Sequence, residues 1–209
     1  MIEKPGTSLW KSITGDKLTD LFGMATDVAL NAATSGALDG VPVVGLLTAM
    51  ARTGRSARDQ LYLRKVIEFL HNLNTTSQEK RDAFIASLAD QDELERFGDA
   101  IILILEQNDD LRKPGIIGRV VAAHIDGHIE YAKAMRLVNI VNRAYACDLP
   151  YLKTFKSGVQ AHSPDIAASL FSAGLLANAG MDGGTFDQDG GLLYEMNEYG
   201  RLLVQYGLN

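Results

Sequence analysis

The sequence predicts a mainly α protein: a helical bundle over residues 1–148, followed by a small α+β module over 149–209. Three observations predict it. Of 209 residues, 46% are apolar and only 7% aromatic, and this Leu-, Ile-, Val- and Ala-rich composition suits packed helices better than a β-sandwich. Apolar residues recur at helical spacing through most of the chain. Only near the carboxyl end does a period of two appear, at Leu192, Tyr194 and Met196, after a glycine-rich stretch.

The elements follow in order. From Asp16 to about Thr34, Leu18, Leu21, Phe22, Ala25, Val28, Ala29 and Ala32 draw one apolar stripe, and a single amphipathic helix is expected. Ser35, Gly36, Asp39 and Gly40 end it. Pro42 then suits the first turn of a short apolar helix through Val43 to Ala51, with Gly54 as its stop. The next helix spans Ser56 to Leu73, with Leu61, Val66, Ile67, Phe69, Leu70 and Leu73 inward.

Thr76 and Glu79 have capping-box spacing, which starts a helix running to about Leu88. Asp90 or Asp92 caps its successor, whose run Ile101 to Leu105 is too continuous for a one-sided surface helix and places it centrally in the bundle. Pro114 opens a helix to Ile125, and Asp126-Gly127 stops it. Glu130 to about Ala146 resumes the period, and Leu149-Pro150 marks the domain boundary, because the residue before proline is pushed out of helical conformation. Ser163 caps a helix that Pro164 begins and Ile166, Leu170 and Leu175 bury, with Gly174 shaping its exit. The stretch Gly180 to Gly191 reverses the chain, Leu192 to Met196 forms a strand, and Asn197 caps the last helix.

Helix, GLL ending, hairpin loop and YEMNEYGRLL together resemble a winged-helix module over roughly residues 150 to 208. That resemblance implies a recognition helix and a wing that contact a partner. From Pro150 onward three cations, Lys153, Lys156 and Arg201, face six carboxylates, a net of -3. Phosphate would meet the wrong sign there, so a polypeptide is the expected partner and nucleic acid is disfavoured. The order VPVVGLL, a basic turn and LYLRKVIEFL is similar to segments of uncharacterised bacterial helical proteins.

The formal net charge of -6 supplies no long-range attraction to phosphate. Cys147 is the only cysteine, which excludes an intrachain disulfide and a thiolate-rich zinc site and predicts a cytoplasmic protein. No secretion signal is read at the amino end. His124, Asp126 and His128 have the spacing of metal ligands, but Gly127 reads as the left-handed stop between two helices. Asp187 and Asp189 resemble part of a calcium loop, yet Leu192 occupies its required glycine position. Asp109-Asp110 reads as a solvated acidic face, and no serine sits in a nucleophile elbow. No catalytic, cofactor-binding or metal residue is assigned, no cofactor is expected, and the enzyme question leans to no.

One patch stands out as a binding candidate. Arg52, Arg55, Arg58, Arg64 and Lys65 concentrate positive charge behind the apolar segment Val41 to Ala51, as a surface for an acidic partner or a lipid headgroup. That segment is too short to cross a bilayer. The expected function is a non-enzymatic protein-interaction or assembly module, self-associating or serving a bacterial regulatory or defence system. The alternatives are a membrane-associated effector, peripheral at the inner face of the membrane, and a winged-helix transcriptional regulator.

Overall fold

The computed structural model describes residues 4–16, 18–53, 56–87, 91–155, 164–183 and 191–209. The chain is mainly helical with one small antiparallel sheet, and it divides into two compact units, Met1–Glu130 and Tyr131–Asn209. This division falls before the helix that sequence assigned to the end of the bundle.

The first unit holds α1 (Pro5–Thr14), α2 (Leu18–Phe22), α3 (Thr26–Ser35), α4 (Pro42–Thr53), α5 (Ala57–His71), α6 (Gln78–Ser87), α7 (Gln91–Gln107) and α8 (Lys113–Ile125). Sequence periodicity passed over α1, which buries Leu9, Trp10 and Ile13. Its first turn lies against α7: the Gly6 backbone N–H donates to Asp99 Oδ1 at 3.0 Å, and Lys4 pairs with Glu95 at 2.5 Å. Ser12, buried on α1, accepts a bond from the Val43 N–H at 2.8 Å and so satisfies an orphan donor at the start of α4.

The expected single helix from Asp16 is two, α2 and α3, with a break at Gly23 to Ala25. The break shifts the helical phase. Leu18, Leu21 and Ala29 are buried as expected, but Val28 is 56% exposed and Ala33 turns inward in place of Ala32. Ser56 and Asp59 form a reciprocal capping box that starts α5, whose core side is Leu63, Val66, Ile67, Phe69 and Leu70. Leu61, expected inward, is 49% exposed.

The start of α6 also differs. Thr76 is buried and donates to Asp126 Oδ1 at 2.5 Å, while Ser77 Oγ takes the Lys80 N–H. Asp90 lies outside the described residues, and Asp92 falls inside the first turn of α7. Within α7, Ile101, Ile104 and Leu105 are buried but Leu103 is 53% exposed, so the helix presents one face outward after all. α8 packs closely on α5 because Gly118 carries no side chain: a Cβ there would lie 2.5 Å from the Phe69 carbonyl oxygen. Gly127, at φ 79°, ends the turn after α8 through bonds from Gly127 N–H to His124 O and His128 N–H to Ala123 O, both 2.9 Å.

The second unit contains α9 (Tyr131–Arg143), a 3₁₀ turn (Leu149–Thr154), α10 (Pro164–Ala173), strands β1 (Leu176–Asp182) and β2 (Gly191–Met196), and α11 (Glu198–Tyr206). Ser163, the expected cap of α10, lies outside the described residues, as do Asp187 and Asp189. Gly174, at φ 89°, closes α10, and β1 begins at once, inside the stretch read from sequence as the helix ending. β1 and β2 pair antiparallel, Leu176 opposite Met196 and Met181 opposite Leu192, with the register shifting between Asn178 and Gly180.

Candidate binding cleft

In the first unit, Arg58, Leu61, Tyr62 and Lys65 recur on α5 at intervals of three, four and seven, so they form a single outward stripe beside the core stripe. This stripe and the end of α7 with the turn after it line a cleft of about 560 Å³, to which Asp59, Glu106, Asn108, Asp109 and Leu111 also contribute. Sequence reading registered the cations of the stripe but not Tyr62, Glu106, Asn108 or Leu111. The spacing of four residues on one helix was the signal that could have found the near wall.

The charges that line the cleft are engaged by groups of the same unit. Arg58 Nη2 meets Glu106 Oε1 at 2.9 Å. Lys65 Nζ donates to the carbonyl oxygens of Glu106 (3.1 Å) and Asn108, placing a cation on the carboxyl end of α7 where the helix dipole favours it. Burial nevertheless draws the Lys65 ammonium below its ordinary pKa. Buried Lys113 reaches Asp109 at 2.5 Å, and that bond holds the Asp109 carboxyl below its usual range. The Tyr62 hydroxyl is pushed well up, first by burial and then by the nearby Glu106 carboxylate, and so stays a neutral phenol.

The surface left over is apolar. Leu61 is 49% exposed and Leu111 37% exposed at the cleft, and Leu103 stands one helical turn before Glu106 on α7. Apolar side chains framed by internally paired charge suit the insertion of an apolar anchor.

The five cations predicted as one patch are placed as follows. Arg58 and Lys65 line the cleft; Arg64 does not, and pairs with Asp27 at 3.3 Å. Arg52 belongs to α4, with its side chain outside the description, and Arg55 lies outside the described residues. His124, weighed as a metal ligand, stands in an aromatic cluster: its ring is 5.0 Å from Phe84, and Trp10 lies 4.9 Å from Phe97. His124 Nδ1 bonds the Ile129 carbonyl at 2.7 Å, and Asp126 is taken by Thr76 and Lys80. Among the described residues, no group of three or more His, Cys, Asp or Glu side chains is placed to hold a metal ion.

No family model matches the chain, and neither a curated protein nor a solved structure matches it. Among the described residues, no helix is long and apolar enough to cross a membrane.

Proposed function

We propose that this chain is a cytoplasmic protein-interaction module of a regulatory or defence assembly, and that the cleft between α5 and the end of α7 receives an apolar anchor of its partner. One observation carries the proposal: exposed Leu61 and Leu111 flank a cleft whose charged side chains are already ion-paired or hydrogen-bonded within the chain. A phosphate or lipid headgroup would have to draw Arg58 from Glu106 and Lys65 from two carbonyls. An apolar side chain displaces only water, the usual source of affinity at the centre of a protein interface.

The winged-helix reading of the carboxyl end belongs to the same proposal. It is supported by the order of α10, the β1-β2 hairpin and α11 within residues 150–208. The net charge of -3 from Pro150 onward directs that module to a polypeptide and away from phosphate.

Crosslinking and mass spectrometry of the chain purified from its native host test the proposal, comparing wild type with Leu61→Glu/Leu111→Glu. A stoichiometric partner crosslinked to residues 58–65 or 106–111 and lost from the variant is expected. A partner retained by the variant, or stoichiometric recovery of a small metabolite in place of a protein, overturns it.

A further inference from the structure

The α5–α7 cleft carries hydrogen-bond donors that the chain does not engage. Tyr62 lines it, half-buried, and among the described residues its hydroxyl makes no hydrogen bond. One turn further along α5, Lys65 gives two of its three N–H donors to the carbonyls of Glu106 and Asn108, and the third meets no acceptor among the described residues. Leu61 and Leu111 line the same cleft and are exposed. Apolar surface thus stands beside donors that lack an acceptor.

Charge decides which kind of acceptor fits. Two cations, Arg58 and Lys65, and three carboxylates, Asp59, Glu106 and Asp109, line the cleft, and buried Lys113 pairs with Asp109. That leaves no surplus of positive charge. The Glu106 carboxylate lies near enough to Tyr62 to help keep its phenol neutral, and the same field opposes a carboxylate or phosphate placed on the hydroxyl. Lys65 faces the carboxyl end of α7, whose dipole offsets its charge. A neutral carbonyl oxygen meets no such opposition. An occupant that was apolar throughout would strip water from the phenol and return no hydrogen bond.

We propose, resting on the reading of this cleft as the docking site, that its occupant is a peptide segment of the partner that inserts one apolar side chain and presents a neighbouring main-chain carbonyl oxygen to the Tyr62 hydroxyl. Tyr62 then sets which anchors fit. Every peptide side chain is flanked by carbonyls, but in the interior of a helix those oxygens are bonded to the N–H four residues on. The segment is therefore a loop, an extended stretch or the last turn of a helix, where carbonyls are free.

NMR titration of the full, isotope-labelled chain tests it with N-acetyl-leucinamide, which joins a leucine side chain to neutral carbonyls, and with N-acetyl-leucinate, which ends in a carboxylate. The amide shifts the backbone signals of residues 58–65 and 106–111, and the acid binds more weakly. Tyr62→Phe, which keeps the ring and the shape of the cleft, weakens amide binding about threefold to tenfold. Leu61→Glu/Leu111→Glu abolishes it, as does Leu61→Ser/Leu111→Ser should the charged variant fold poorly. Amide binding by Tyr62→Phe as tight as by wild type overturns the inference and leaves the apolar anchor standing. Equal or tighter binding of the acid, or no response of the cleft signals to the amide, overturns it too. Unchanged binding by the leucine variants sinks the apolar-anchor reading itself, whatever Tyr62→Phe does.

Discussion

Gly6 and Gly98 bring α1 and α7 into backbone contact: a Cβ on Gly98 would lie 2.5 Å from the Gly6 carbonyl oxygen and 2.8 Å from its Cα. A Cβ on Gly6 would meet the Glu95 carbonyl at 2.7 Å. The obstacles are backbone atoms, which cannot rotate aside, so any side chain pushes the helices apart. The same crossing carries the bond from the Gly6 N–H to Asp99 and the bond from the Trp10 indole N–H to the Leu94 carbonyl.

Gly98→Ala is therefore expected to destabilise the protein by about 1–3 kcal/mol despite alanine's better helix propensity. Gly23→Ala is the control, because nothing lies within 4 Å of a Cβ there and its φ is not positive. It should be neutral or stabilising by up to about 1 kcal/mol. Urea unfolding of the two variants checks this, and equal losses in both would refute the role of the crossing.

Arg81 is 1% exposed and reaches two backbone carbonyls, Ile13 O through Nε at 2.8 Å and Thr76 O through Nη1 at 2.6 Å. Its guanidinium also lies 5.5 Å from the Phe22 ring centroid. Ile13 belongs to the last turn of α1, where unsatisfied carbonyls and the helix dipole favour a cation. Arg81→Ala removes donors from both carbonyls and should cost about 2–4 kcal/mol. Arg81→Lys should recover less than half of that, because a single ammonium lacks the planar fork that reaches two acceptors. Full recovery by lysine in a thermal melt would show that charge alone is required.

Much of this fold was legible in the sequence where signals were local. Pro42, the helix stop at Gly127 and the Asn197 cap each act within one turn of their own residue, and the structure has all three. α1 was not legible because its driving contacts are distant: Asp99 and Leu94 satisfy its donors from more than 80 residues away. The break before α3 escaped because Ala25 and Val28 continue a stripe that periodicity alone extends through Gly23. For the cleft, Arg58 and Lys65 were visible as cations, but not that Glu106 and two carbonyls at the end of α7 engage them.

Asn197 fastens the start of α11 to the exit of α10. Its Oδ1 accepts the Gly200 N–H at 2.9 Å, and its Nδ2 donates to the carbonyls of Gly174 (2.9 Å) and Leu176 (3.2 Å). Asn197→Ala should cost about 1–2 kcal/mol, the upper range for a cap, because two further bonds go with it. Asn197→Asp keeps the cap acceptor but loses both donors, and should fall between alanine and wild type. Amide exchange in Glu198–Tyr206 should accelerate in the same order, alanine fastest. If the aspartate variant matched wild type, the bridge to α10 would contribute nothing.

Among the described residues, Asp110 is a carboxyl whose acid response follows from the contacts around it. Arg112 grips it with Nε at 2.9 Å, Nη2 at 2.5 Å and its own backbone N–H at 2.8 Å, and these bonds hold the Asp110 pKa down to about 2. An unfolded aspartate titrates near 3.9. The folded value is the lower one, so the unfolded chain binds the proton first and stability is lost on acidification. The contribution is fully present above about pH 5, declines as pH falls through 4, and is gone below about pH 2. Because the Arg112 side chain is 55% exposed, the contribution is discounted to less than about 1 kcal/mol. Asp110→Asn should leave a shallower fall in the urea midpoint between pH 5 and pH 2 than wild type shows, with the curves converging at the acid end. Parallel curves across that window would mean that the Arg112 grip gives Asp110 no linkage to folding.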